Sequence, residues 1–122
     1  MKWYLAKLIF RIICGEGNHT PQFDEQLRLL YAENEIHAFQ KARILGDAEE
    51  DSFLNNDQKP VHWKFVDVTE LYVLNELIDG AELYSRINEE EDGDAYMKII
   101  KKRANYLHET CLQNTFEMIK TT

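Results

Sequence analysis

Along residues 3–14 the even positions, Tyr4, Ala6, Leu8, Phe10, Ile12 and Cys14, are all apolar. The odd positions set Lys7 and Arg11 among Trp3, Leu5, Ile9 and Ile13. Side chains alternate faces along a strand, so the pattern predicts a β-strand with one face on a core and the other partly covered. Two other readings fit less well. As a signal peptide the run is broken by Lys7 and Arg11, lacks a small-x-small cleavage site, and has Ile13 where a lipoprotein signal wants a small residue before Cys14. As a helix it would gather Trp3, Lys7 and Arg11 on one face and make an amphipathic membrane-surface segment. Periodicity alone leaves short apolar runs ambiguous, and the β-branched and aromatic content decides for the strand.

The next apolar pattern follows a run of turn formers, Gly15, Gly17, Asn18, Thr20 and Pro21. The Gly-x-Gly in that run lacks the third glycine and the following helix of a nucleotide fingerprint, so a turn explains it better. Phe23, Leu27, Leu29 and Tyr31 then alternate with Asp24, Gln26 and Arg28, which predicts a second strand antiparallel to the first. Asn34 stands where an N-cap would, and Ala38, Phe39, Ala42 and Leu45 follow at helical spacing over 35–45. Gly46 ends that helix, or the helix runs on through the acidic stretch to Asp51. Asn55, Asn56, Asp57 and Pro60 mark a turn, after which Val61, Trp63 and Phe65 alternate and Val66 and Val68 continue out of phase, as at a β-bulge. Asp79-Gly80 predicts a hairpin into a fourth strand over 81–87. Past the acids of 89–94, a long helix carries Met97, Ile100, Ala104, Leu107, Cys111 and Met118 at alternating spacings of three and four, interrupted by Asn114. Tyr96, Ile99, Tyr106, Leu112, Phe116 and Ile119 broaden the stripe, which needs cover from its own sheet or from a second copy.

Composition narrows the function classes more than it names one. A chain of 122 residues, 44% hydrophobic and 30% charged, is one ordinary soluble domain without a membrane span. Its net charge of −8 disfavours duplex nucleic acid and suits a basic protein partner, or solubility alone. Cys14 and Cys111 have no metal-type spacing, and each falls on an apolar face, so two buried thiols in a reducing cytoplasm are expected. His19, His37, His62 and His108 form no metal motif, and neither a cofactor fingerprint nor a nucleophile elbow is present. The one basic cluster, Lys98, Lys101, Lys102 and Arg103, is explained by the neighbouring acidic runs. Trp3 beside Lys7 and Arg11, and Trp63 between His62 and Lys64, are the candidate contact residues, since tryptophan is enriched at interfaces.

The segment Trp3-Tyr4-Leu5-Ala6-Lys7-Leu8-Ile9-Phe10, the strand over 23–31, Val61-His62-Trp63-Lys64-Phe65 and the hairpin Asp79-Gly80-Ala81-Glu82-Leu83-Tyr84-Ser85-Arg86 together resemble a family of small bacterial proteins classed only as a domain of unknown function. The likeness covers roughly residues 3–87. It implies a shared fold and a bacterial cytoplasmic protein, and brings no activity, cofactor or site residue.

The expected fold is α+β: an antiparallel sheet of about four strands in ββαββ order, a short helix packed on it, and a long C-terminal helix. Residues 1–88 form the sheet domain, and the helix over 94–120 packs on that same single domain. The reading favours a non-enzymatic protein-interaction module using Trp3, Lys7, Arg11, Trp63, Met97, Ile100 and Leu107, with a protein partner or a homodimer. One alternative is a small-molecule enzyme with a pocket between sheet and helix, drawing on Cys14, His37 and His62. Another is an acidic, immunity-like inhibitor of a basic toxin. The least favoured is single-stranded RNA recognition through Trp63, Tyr84 and Arg86. No metal, cofactor or membrane partner is expected.

Overall fold

The computed structural model describes residues 1–120. Four strands, β1 (Lys2–Cys14), β2 (Gln22–Ala32), β3 (Asp51–Leu54) and β4 (Pro60–Leu74), form one antiparallel sheet in the order β2-β1-β4-β3. Helix α1 (Glu35–Ala48) follows β2, and helix α2 (Gly93–Lys120) ends the described chain. The chain divides into two compact units, Met1–Ser85 and Arg86–Thr122. Each is described by itself.

In the first unit β1 is the central strand, and its even face is the floor of the core. Ala6, Leu8 and Phe10 are wholly buried there with Leu30 of β2 and Ala42 of α1, while Tyr4 packs with Ala32 and Ala38. The small side chains of Ala38 and Ala42 bring the helix close to the sheet. Asn34 caps the helix by accepting from the His37 N–H at 2.9 Å, and His37 Nδ1 in turn accepts from the Glu33 N–H at 3.1 Å. One helix donor and the N–H of the residue before the cap are thereby satisfied, a variant of the capping box shifted by one residue on its second bond. The cap uses a histidine where glutamate is usual.

Gly46 does not end α1, which continues to Ala48 with Glu49 as its C-cap. Its function is steric: a Cβ at position 46 would overlap the ring of Phe65 on β4. The out-of-phase valines of β4 mark a bulge, as expected, and there are two. The register against β1 shifts between Ile9 and Phe10 and again between Lys7 and Leu8. The core-facing positions of β4 are consequently Phe65, Val68 and Leu71, three apart rather than two. Edge protection accompanies the bulges, because β3 covers only the start of β4. Glu50 accepts the Phe65 N–H at 3.0 Å, Asp67 accepts the Val68 N–H at 2.7 Å, and Arg43 of α1 grips Asp67 through two 3.0 Å bonds.

The sheet has four strands in ββαββ order, but its fourth is not over 81–87. The extra strand is β3, joined to β4 by a loop in which Asn55 Oδ1 accepts from the Asp57 and Lys59 N–H groups. Residues 81–87 pair with no strand. Both sides of β1 are occupied, and Asp79-Gly80 makes a turn closed by Ala81 N–H to Ile78 O rather than a hairpin. The Tyr84 ring instead meets Tyr72 edge-on at 5.5 Å.

The second unit is dominated by α2, which Asp92 caps from just before its start: its carboxylate accepts from the Ala95 N–H at 3.0 Å. None of its described residues is buried. Cys111 is accordingly exposed, against the expectation of two buried thiols, while Cys14 is half-buried.

Candidate functional site

Pairing across β2, β1 and β4 stacks the odd positions of β1 into rows on the face of the sheet that α1 leaves uncovered. Tyr31, Trp3 and Leu74 form the first row, Leu29, Leu5 and Tyr72 the second, and Leu27, Lys7 and Glu70 the third. Phe23, Arg11 and Lys64 lie at the far end. The corner carrying Leu5 and Leu74 is buried, and Tyr84 adds its ring against Tyr72 there. Along β2 the apolar side chains stay open. Trp3, Tyr31, Leu29, Leu27 and Phe23 are between 37% and 54% exposed, which is high for side chains of this size along one side of a sheet, with Glu25 standing between Leu27 and Phe23. Trp3 packs on Tyr31 with centroids 4.6 Å apart, and the Arg11 guanidinium sits 5.8 Å from the centre of the Phe23 ring. The two rings at one end and the cation-covered ring at the other are held in place by their neighbours.

The polar members of this face are matched to one another. Lys7 Nζ lies 3.1 Å from Glu70 Oε2 and 3.9 Å from Glu25 Oε2. Its hydrogen bond to Glu70 raises the Lys7 pKa above the ordinary 10.5, against the opposing effect of burial. Burial, and then a hydrogen bond to Glu70, raises the Tyr72 pKa above the ordinary 10.0. Both shifts move away from neutrality, leaving Lys7 a fixed cation and Tyr72 a neutral phenol. A general acid or base needs the opposite shift.

Three of the sequence-selected residues, Trp3, Lys7 and Arg11, thus share this face. Trp63 lies on the other one, paired with Ile12 and packed against the core. Its indole N–H donates to Asp24 at 3.1 Å, and the chain of polar contacts continues through Gln26 and Arg28 to Glu49. Phe53 of β3 stacks on its ring at 6.4 Å. Trp63 and Tyr84 therefore do not share a platform for stacked bases. Met97, Ile100 and Leu107 lie exposed on α2 in the second unit. Sequence reasoning read Phe23, Leu27, Leu29 and Tyr31 as the apolar side of a strand and not as contact residues. The signal available was the register: odd positions of β2 pair with odd positions of β1, the face that already carried Lys7 and Arg11.

The groups proposed for an enzyme do not converge. His37 caps α1, Cys14 pairs with Val61, and His62 pairs with the adjacent Ile13, so the strand alternation places Cys14 and His62 on opposite faces. His62 Nδ1 lies 2.7 Å from Ser52 Oγ at the mouth of an open recess of about 420 Å³ that Glu50, Asp51 and Lys64 also line. Both members of that pair are exposed. His19 closes the 15–20 turn: one ring nitrogen accepts from the Cys14 N–H at 3.0 Å, and the other lies 2.8 Å from Thr20 O. Among the described residues, no group of three or more His, Cys, Asp or Glu side chains is placed to hold a metal. Among those residues, too, no helix is long and apolar enough to cross a membrane.

These features define an α+β domain whose single antiparallel sheet carries a helix on one face and an open apolar strip on the other. The chain belongs to the family described as a domain of unknown function (DUF4288), whose model matches residues 3–85. No curated protein and no solved structure matches the chain.

Proposed function

We propose that this chain is a non-enzymatic protein-interaction module whose contact surface is the open face of the sheet. The observation that carries the reading is the strip of Trp3, Tyr31, Leu29, Leu27 and Phe23, apolar and solvent-exposed beside a cluster in which Lys7 is shared by Glu70 and Glu25. Burying such a strip stabilises a complex at about 25 cal/mol per Å² of apolar surface, before the costs of association. Aromatic anchors with a cationic fringe are the side chains that dominate interfaces. The partner is a protein with a complementary apolar ridge, and the net charge of −8 favours a basic one. The unassisted thiols fit a reducing compartment such as the cytoplasm.

Two further observations weigh against the enzyme alternative. The helix–sheet interface is closely packed at Ala38, Ala42 and the Gly46–Phe65 contact. The pKa values of Lys7 and Tyr72 on the open face are both raised, away from neutrality, whereas a general acid or base would be served by the opposite direction.

The test is comparative capture from cell extract with the wild type, Leu29→Arg and a control, Ile44→Arg, at an exposed position of α1. A stoichiometric protein retained by wild type and Ile44→Arg but lost from Leu29→Arg supports the reading. Equal retention by all three contradicts it.

A further inference from the structure

A second apolar surface lies on α2. Met97, Ile100, Ala104, Leu107 and Cys111, with the polar Asn114 after them, follow spacings of three and four, placing Met97, Ala104 and Cys111 at a positions and Ile100, Leu107 and Asn114 at d positions of a heptad. Met97, Ile100 and Leu107 are between 46% and 62% exposed. Charge along the helix is uneven. Lys98, Lys101, Lys102 and Arg103 crowd its first half with Asp94, whereas Glu109, Glu117 and Lys120 lie beyond the middle.

We infer that α2 associates with α2 of a second copy as an antiparallel pair in which Arg103 of each chain faces Glu117 of the other. The inference stands on this helix alone and does not depend on the sheet face. Antiparallel packing sets a positions against d positions, and one register puts Leu107 opposite Cys111, Ala104 opposite Asn114 and Ile100 opposite Met118. In that register the flanking g positions 103 and 117 oppose each other twice, once on each side of the twofold axis. Sliding by one heptad, so that Leu107 faces Ala104, sets Arg103 against Thr110 and loses both ion pairs. A parallel pair is worse, because the four cations of each copy would lie side by side. The antiparallel pair instead separates the two basic clusters by roughly 25 Å along the axis. Small side chains at 104 and 111 let the helices approach closely, and the paired layers from 100 to 118 run for about 27 Å. The seam is therefore self-complementary in both size and charge, which selects a second copy as the occupant.

Sedimentation equilibrium of the full chain tests this. The wild type is expected to be dimeric at about 100 μM, and Leu107→Asp monomeric. Arg103→Glu and Glu117→Arg, at exposed positions that leave the fold intact, should each weaken dimerisation roughly tenfold, since each change turns two attractions into two repulsions. The double exchange Arg103→Glu with Glu117→Arg should restore wild-type affinity. Air oxidation should give no Cys111–Cys111 disulfide in a Cys14→Ser background, because antiparallel packing keeps the two a positions apart. A monomeric wild type, an unrestored double exchange, a Cys111 crosslink, or loss of the dimer in Leu29→Arg would each overturn the inference.

Discussion

The ring of Phe65 occupies the space that a Cβ on Gly46 would take, so helix α1 and strand β4 touch backbone to side chain at this point. Exchange for alanine gains helix propensity of about 1 kcal/mol but forces an aromatic ring out of a filled core. Gly46→Ala is therefore expected to destabilise the first unit by roughly 1–3 kcal/mol in urea denaturation. Adding Phe65→Leu to make room should recover part of that loss. A stabilised Gly46→Ala would show that the helix and sheet are not in contact there.

The helix start offers a second test. Asn34 and His37 satisfy one helix donor and the N–H of the residue before the cap between them, and neither side chain packs in the core. Asn34→Ala should cost about 1 kcal/mol, the usual worth of an N-cap. His37→Ala should cost less, and the double variant should cost less than the two losses added, because the bonds form one unit.

Two charged groups predict opposite pH behaviour. The Arg43 guanidinium, with help from the Val68 N–H, holds the Asp67 carboxyl below its ordinary value of 3.8. A depressed folded pKa contributes stability above that value and loses it as pH falls through the folded pKa. The stability difference between wild type and Asp67→Asn should thus shrink below pH 3.8. Lys7 runs the other way: its raised pKa contributes stability that is present below 10.5 and lost as pH rises beyond it. The difference between wild type and Lys7→Met should shrink in that alkaline range. Urea midpoints measured across both ranges check the two signs together.

Much of the fold was legible because burial imposes a period. The even face of β1 reads as an unbroken apolar set, and Ala38 and Ala42 announce close helix packing. What escaped was set by contacts that leave little trace in sequence. Strand β3 is four exposed residues with only Phe53 and Leu54 to mark it, and its pairing to β4 follows from the Asn55 turn rather than from its own pattern. Leu83 and Tyr84 carry a strand-like pattern although they pair with no strand, and Gly46 looks like a helix terminator because the Phe65 ring above it is invisible in one dimension. The site divided in the same way. Lys7 and Arg11 exposed the open face of β1, but the exposed strip of β2 became visible only once the register was known.

Trp63 gives a further prediction. Its indole N–H is tied to Asp24, and its ring closes one end of the core beneath Phe53. Trp63→Phe should keep the fold but lose roughly 1 kcal/mol through the unmade hydrogen bond. It should leave partner binding unchanged, since the residue lies on the α1 side of the sheet. Capture with this variant beside Leu29→Arg separates the two faces.

Hydroxyl-radical footprinting of the protein, alone and with the partner it captures, tests the central claim most directly. Trp3, Tyr31 and Phe23 should be oxidised readily in the free protein and protected in the complex, while Ile36 and Ile44 on α1 remain equally reactive in both. Unchanged oxidation of Trp3 and Tyr31 in a stoichiometric complex would contradict the assignment of this face as the contact surface.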